Sequence, residues 1–301
     1  MSVPVVLLTG ASGFVGGHMS AAAPCVALVD SDGVEVDIRN REQVIEALAR
    51  LRFDAVVHLA AQPSVTASFE HPEMTYSVNF SGTFNLLWSL KEMGFTGRLL
   101  YVGTSEEYGE VDETCLPVSE RQPLRPRSPY AVSKVAAETL CYQWSQTDGL
   151  DIVCARPFKH VGPGQSASYV VPSLARQVIE IRRGVRPAEL VLGSLDVTRD
   201  VLDVRDVVSA YLALLEGGRR GEAYNVCSGV ERSVRELATM LLDRAGVRAT
   251  LRTDEGLVRP HEQRRMVRDN MKLRKATGWK PSIPVQQTLD DVVRDWEGRV
   301  T

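Results

Sequence analysis

Val5-Val6-Leu7-Leu8-Thr9-Gly10-Ala11-Ser12-Gly13-Phe14-Val15-Gly16 joins a short apolar run to a Gly-x-x-Gly-x-x-Gly turn. Glycines at 10, 13 and 16 permit a tight turn and a close approach of backbone to a pyrophosphate, whose charge is favoured at the N-terminus of the helix that follows. A glycine-rich turn between strand and helix has the same composition without any ligand. Position favours dinucleotide binding, because the turn follows the first strand of an alternating pattern. On that reading Gly10, Ser12, Gly13, Phe14, Val15 and Gly16 form the cradle.

Outward from this turn, short apolar runs alternate with longer amphipathic segments, the pattern of a parallel sheet covered by helices. Further strands are expected at Cys25 to Val29, Val34 to Val36, Ala55 to Leu59, Leu99 to Val102 and Ile152 to Ala155. Asn40 to Arg52 opens with Asn-x-x-Gln and carries Val44, Ala47, Leu48 and Leu51 on one face, as a covering helix does. Pro72 and Pro129 suit the first turns of helices reaching Gly94 and Gly149. After residue 156 Pro and Gly clusters interrupt the rhythm, while 205–216, 234–245 and 285–296 keep apolar stripes of helical period. The expected fold class is α/β, a Rossmann-type doubly wound parallel sheet with a smaller C-terminal substrate-binding lobe. Residues 1–155 form the dinucleotide half, with 199–226 returning to it, and 156–301 supply mainly the lobe.

Composition narrows the function classes. The 35 Lys and Arg against 38 Asp and Glu give a net charge of -3, so no footprint for nucleic acid exists and any bound anion must be held locally. Cys25, Cys115, Cys141, Cys154 and Cys227 are far apart and odd in number, which suggests buried apolar residues and neither a zinc site nor a disulfide framework. The N-terminus lacks the features of a signal peptide, and no apolar run reaches membrane-spanning length, so a cytoplasmic protein is expected.

Two constellations carry chemistry. Asp30, ending the second strand, can accept hydrogen bonds from an adenosine ribose and repel a 2'-phosphate, which leans towards NAD(H); as a solvated acid in a turn with Asp32 it would do neither. Asp37 can meet the adenine edge. Tyr130-Ala131-Val132-Ser133-Lys134 is Tyr-x-x-x-Lys at the start of a helix, which sets phenol and ammonium on one face. The ammonium is expected to lower the phenol pKa so that the pair moves a proton. Gly103 to Gly109 forms a second polar cluster at a strand end, where ligands of open sheets collect, and Thr104 in it can hydrogen-bond the reacting oxygen. His58, inside a strand run, is expected to be structural. A nucleophilic hydrolase is poorly supported, since Gly10-Ala11-Ser12-Gly13 lacks the spacing of a nucleophile elbow.

The glycine loop, His58-Leu59-Ala60-Ala61, Asn79 with Gly82-Thr83, and Tyr130 with Lys134 together resemble the extended short-chain dehydrogenase/reductase family across essentially the whole chain. The resemblance implies NAD(P)H as coenzyme, Tyr130 as acid-base, Lys134 on the nicotinamide ribose, Thr104 orienting a sugar and Asn79 framing the site. It also implies that Ile38, Leu59, Ala60, Ala61 and Arg156 line the coenzyme. Arg156 to Gln165, Arg199 to Asp206, Tyr224 to Gly229 and Arg259 to Glu262 resemble the GDP-mannose branch, in particular its 4-keto reductases. That likeness implies reduction of the C4 ketone of GDP-4-keto-6-deoxy-D-mannose to GDP-D-rhamnose. Ser105, Glu106, Lys159, Arg199, Arg259 and Glu262 would meet substrate, with Arg199 and Arg259 clamping the diphosphate.

The family pattern Arg-Pro-Phe-Asn reads Arg156-Pro157-Phe158-Lys159 here, so Lys159 either meets a phosphate as a point charge or leaves the contact unmade. Glu106 is shared with the sister 4,6-dehydratase, where it takes a proton from C5. The arginine-rich NADP loop of that enzyme is missing between Gly17 and Val36, which favours the reductase. A 4-epimerase uses the same tyrosine and remains an alternative, whereas a non-enzymatic dinucleotide-binding protein usually loses Tyr130 or Lys134. A homodimer through helices 72–94 and 129–149 is also implied, with Phe84, Leu87, Leu140 and Trp144 available to core or interface.

Overall fold

β1 (Val6–Thr9) is buried along its length and lies parallel to β2 (Cys25–Ala27) on one side and β3 (Ala55–His58) on the other. The computed structural model describes residues 4–258 and 263–300. From β1 the chain passes through α1 (Phe14–Ala22) to β2, then through α2 (Arg41–Arg50) to β3, and the sheet continues outward. α3 (Val65–Glu70), α4 (Pro72–Tyr76) and α5 (Gly82–Glu92) lead to β4 (Arg98–Val102), and α6 (Pro129–Thr147) leads to β5 (Asp151–Pro157). Among the described residues the main sheet has six strands in the order β2-β1-β3-β4-β5-β9, where β9 is Ala223–Val226. Because the chain leaves β1 to one side and returns to the other, a crevice opens beyond the carboxyl ends of β1 and β3, where open α/β sheets bind ligands.

Alternation along each strand fills both faces. Leu7, Val56, Leu99 and Ile152 pack against α2, α5 and α6 through Val44, Leu48, Leu86, Leu90 and Trp144. Val6, Leu8, Val57 and Leu100 point the other way, onto Met19 of α1 and onto Val207, Tyr211 and Leu214 of a later helix. Burial on both faces is why these strands read as continuous apolar runs.

Beyond β5 come β6 (Lys159–Val161), α7 (Val170–Arg182), β7 (Glu189–Leu192), β8 (Thr198–Asp203) and α8 (Val204–Gly217), which covers the main sheet. After β9 follow β10 (Glu231–Ser233), α9 (Val234–Ala245), β11 (Thr250–Thr253), α10 (Met271–Thr277) and α11 (Val285–Arg299). α7, α9 and α11 share a separate core through Leu174, Val178, Leu237, Leu241, Leu289 and Val292. Three aspartates of the Arg199 to Asp206 motif tie this lobe to the sheet. Asp200 accepts from Ser228 and Gly229, Asp203 caps α8 and accepts from Thr288, and Asp206 accepts from Ser282 and Ile283.

Three expectations are corrected. Val34 to Val36 is not a strand of the sheet. Asp30 Oδ1 accepts from Asp32 N and Val34 N, Gly33 takes φ +80°, and the reversed chain makes only one antiparallel bridge, Glu35 to Val29. Helix 72–94 is interrupted by a π-turn at Ser77–Ser81, the kind of local widening frequent at functional sites. Not every cysteine is buried: Cys115 is exposed and Cys25 half-buried.

Candidate active site

The glycine loop follows β1 into α1. Gly10 has φ +71°, and a Cβ there would stand 2.9 Å from Ala60 N, so the loop backbone lies against the segment leaving β3. A Cβ on Gly16 would meet the carbonyl oxygens of Gly10 and Ala11 at 2.5 Å. Gly13 is the N-cap of α1, brings no side-chain cap, and no acidic residue occupies the first helical turn. This bare, positively polarised helix end fits a pyrophosphate. Leu59 N and Ala60 N bond to the Thr9 carbonyl and hydroxyl, which fixes Leu59 to Ala61 beside the loop. Phe14 faces the lobe, its ring stacked 6.0 Å from that of His160.

The acidic hairpin after β2 behaves differently from its sequence reading. Asp30 serves the turn with Asp32 through the bonds described above. Glu35, not singled out from sequence, bonds Ser12 N at 2.8 Å and Ser12 Oγ at 2.6 Å, so its carboxylate sits on the glycine loop itself. Asp37 ends no strand; it is paired with Arg39, whose guanidinium holds the carboxyl below its usual range. The Ile38 side chain belongs to the core, where Gly82 makes room for it.

At the carboxyl end of β4, Thr104 caps a 3-10 turn, Ser105–Tyr108. Its side chain faces the phenol of Tyr130, which lies in the first turn of α6 behind the cap Ser128 and Pro129. Burial drives the phenol pKa upward and the polar Thr104 side chain opposes it; Glu107, Glu106 and Tyr169 push the same way as burial. The sequence reading gave the opposing role to Lys134. In the structure the Lys134 ammonium instead donates to the Val102 carbonyl at 2.9 Å and lies over the Tyr101 ring. Asn79, in the π-turn, clamps the other side of α6: its Nδ2 donates to Ser133 Oγ at 2.9 Å and to Gln62 O, and its Oδ1 accepts from Gln62 N. His58 is structural, held between the hydroxyls of Thr9 and Thr83, with its pKa lowered to about 3 by burial and by Lys134.

Glu106, in the 3-10 turn, is ion-paired with Lys159 of β6 at 2.8 Å, and Ser105 beside it is buried. Arg156, expected at the coenzyme, is instead buried under the site, bonded to Glu138 through Nε and Nη2, to the Tyr108 hydroxyl, and 3.3 Å from Glu107. Burial and the facing Glu138 raise the Glu107 pKa well above its usual range. Arg199 donates to the carbonyls of Thr198 and Gln263. Arg259 and Glu262 lie outside the described residues. An open crevice of about 420 Å³ is lined by Ser194, Asp196, Arg235, Thr253, Val258 and Arg264.

Sequence reasoning missed Tyr169 at the head of α7, whose phenol acts electrostatically on Tyr130. It also missed the Glu107, Glu138 and Arg156 cluster, and Ser133. The Tyr-x-x-Ser spacing was a signal for Ser133, since three residues along a helix share a face; nothing local marks the others.

Residues 29–292 match the family model described as GDP-mannose 4,6 dehydratase. This chain belongs to that family. GDP-6-deoxy-D-mannose reductase of Pseudomonas aeruginosa is 44% identical over 300 residues, 98% of each chain, and GDP-mannose 4,6-dehydratase of Vibrio cholerae is 28% identical, covering 86% of this chain and 77% of its own. Among solved structures, RMD from P. aeruginosa complexed with NADPH superposes with a TM-score of 0.92 at 43% identity, covering 99% of this chain and 100% of its own. UDP-glucose 4-epimerase of Thermus thermophilus complexed with NAD gives 0.85 at 30%, covering 98% and 100%.

In this GDP-mannose 4,6-dehydratase family member, Lys134 sets an expected pH limit. Burial lowers its pKa to about 8, with Glu107 opposing. As pH rises through that value the ammonium that donates to the Val102 carbonyl is lost. kcat/KM for the reduced coenzyme, which reports the free enzyme, should fall tenfold per unit above about pH 8 and level at lower pH. The profile of Lys134→Met should lack this limb; a limb unchanged in Lys134→Met would assign it to another group.

Proposed function

We propose that this protein is a cytoplasmic NAD(P)H-dependent nucleotide-sugar oxidoreductase that reduces the C4 ketone of GDP-4-keto-6-deoxy-D-mannose to GDP-D-rhamnose. The observation that carries the chemistry is the buried phenol of Tyr130, in the first turn of α6 with Lys134 one turn along, facing Thr104 at the carboxyl end of β4. The near-full-length likeness to a GDP-6-deoxy-D-mannose reductase supports the substrate class. The reduced nicotinamide, when bound, supplies a hydride. Gly10, Ser12, Gly13, Phe14, Val15 and Gly16 hold the dinucleotide with Leu59 to Ala61; Tyr130 Oη delivers a proton to the C4 oxygen, and Thr104 orients that oxygen. Lys134 keeps its charge beside both, and Asn79 fixes the helix that carries them. Ser105, Glu106, Arg199, Arg259 and Glu262 face the sugar and diphosphate, and the crevice beside Arg264 takes the nucleoside end. Incubation with GDP-4-keto-6-deoxymannose and reduced coenzyme should give coenzyme oxidation and a rhamnose product by NMR. Absence of oxidation with either coenzyme would reject the reductase, and release of a keto sugar from GDP-mannose would replace it by a dehydratase.

The acidic hairpin favours NADH. Asp30, Asp32 and Glu35 stand near the adenosine end with Arg39 already committed to Asp37, so a 2'-phosphate meets like charge. kcat/KM should be higher with NADH than with NADPH. Glu35→Gln should raise NADPH efficiency about fivefold, the equivalent of about 1 kcal/mol between unit charges ~4 Å apart in water. Equal efficiency for the two coenzymes would remove this preference.

Helices α5 and α6 carry the proposed homodimer face. Phe84, Leu87, Leu140 and Trp144 are taken by the core, while Tyr76, Phe80 and Trp88, four and eight residues apart along the helical segment, stay exposed with Tyr142 of α6. Light scattering should give a dimer and Trp88→Asp a monomer; a wild-type monomer would reject the assignment. No helix among the described residues is long and apolar enough to cross a membrane.

A further inference from the structure

Reduction of a 4-keto sugar carries a chemical hazard. The carbons on either side of the ketone bear acidic protons, and a carboxylate near the carbonyl can take one: the C–H bond breaks, its electron pair moves to the carbonyl oxygen as an enolate, and the proton goes to the carboxylate. Return of a solvent proton exchanges the hydrogen and permits loss of configuration. Glu106 is such a carboxylate, close enough to Tyr130 for its charge to act on the phenol.

Lys159 opens β6, separated from the end of β5 by Phe158, where the chain crosses from the sheet to the lobe, and its Nζ donates to Glu106 Oε1 at 2.8 Å. A cation at that distance stabilises the charged carboxylate and makes it a poorer proton acceptor. A second cation sits below. Arg268, 1% exposed, lies 4.7 Å over the ring of Phe158, the neighbour of Lys159, and interacts with Glu106 electrostatically. Its Nε and Nη2 have no hydrogen-bond partner among the described residues. Glu106 therefore faces positive charge from β6 and from the segment before α10, two elements that meet only in the folded chain.

We infer that Lys159 is a specificity-determining positioning residue, whose ion pair restrains Glu106 from acting as a base on the carbons flanking the ketone, so that hydride reduction proceeds without proton exchange. This rests on the keto-sugar reading of the site. The Lys159 side chain is 46% exposed and that of Glu106 30%, so solvent screening reduces the effect to the lower end of what a close opposite charge gives.

The test uses the full chain with oxidised coenzyme and GDP-4-keto-6-deoxymannose in deuterated buffer, following by NMR the loss of the proton signals flanking the ketone. Wild-type protein should exchange no faster than buffer. Lys159→Met should exchange roughly tenfold faster or more, Lys159→Arg, which keeps the cation, should stay at the wild-type rate, and adding Glu106→Gln to Lys159→Met should return exchange to background. Exchange in Lys159→Met equal to wild type, exchange in Lys159→Arg equal to Lys159→Met, or exchange that survives Glu106→Gln would each overturn the inference. Circular dichroism and coenzyme titration on each variant establish that the compared proteins are folded. Oxidation of reduced coenzyme by wild-type protein is measured separately on the same substrate; its absence would count against the reductase reading, whereas turnover with no gain of exchange in Lys159→Met counts against the role of Lys159 alone.

Discussion

Tyr130→Phe is expected to lower kcat about 10³-fold, or ~4 kcal/mol of transition-state stabilisation, in the middle of the range for removal of a positioned acid-base group. The phenylalanine ring fills the same space in a position that is 9% exposed, so the loss is confined to one oxygen. That oxygen faces Thr104 in the structure and is the proton donor to C4 in the proposed chemistry. Coenzyme binding should persist, because the glycine loop and Lys134 are untouched. Steady-state turnover alongside a coenzyme titration separates the two quantities. Turnover of Tyr130→Phe within an order of magnitude of wild type would mean that some other group delivers the proton.

A second large effect is expected on stability. Arg156, Glu138 and Glu107 are 6%, 8% and 0% exposed, and the single guanidinium serves both carboxyls. Burial, and then the facing Glu138, disfavour the charged form of Glu107 and displace its pKa upward. Arg156→Met removes this guanidinium and leaves the Glu138 carboxylate without its ion-pair partner. Breaking a buried ion pair in this way costs about 3–5 kcal/mol, because a desolvated charge is left uncompensated. Chemical denaturation should therefore show a midpoint well below wild type at an unchanged slope. The companion variant Glu107→Gln/Glu138→Met/Arg156→Met, with no buried charge in the cluster, should recover most of the loss. A single variant as stable as wild type would show that water reaches the cluster and solvates Glu138.

Glu107 and Arg156 also mark the limit of reading along the chain. Both lie in motifs that sequence reading assigned to ligands, Glu107 beside Glu106 and Arg156 at the head of Arg-Pro-Phe-Lys. Side by side, Glu106 and Glu107 point to opposite sides of a 3-10 turn, one towards Lys159 and the other into the protein. Asp30 and Glu35 make the same point at the coenzyme end. The start of β2 is where the sequence puts it, but the strand ends at Ala27 and does not run on to Asp30, and the carboxylate that reaches the glycine loop comes from five residues beyond Asp30, because a tight turn replaces the expected strand at Val34 to Val36.

The parallel α/β architecture, the glycine turn, the cap at Asn40 and the helical start at Pro129 were written in the sequence itself. Each depends on forces between near neighbours: apolar runs of strand length, glycine where a Cβ would collide, and a side chain that satisfies a helix N–H three residues on. The pairing of Lys159 with Glu106, the clamp of Asn79 on Ser133 and the burial of Arg156 were decided only by tertiary structure. Their partners lie 53, 54 and 18 residues away, and a charge or amide has no preferred partner until packing excludes water from all but one.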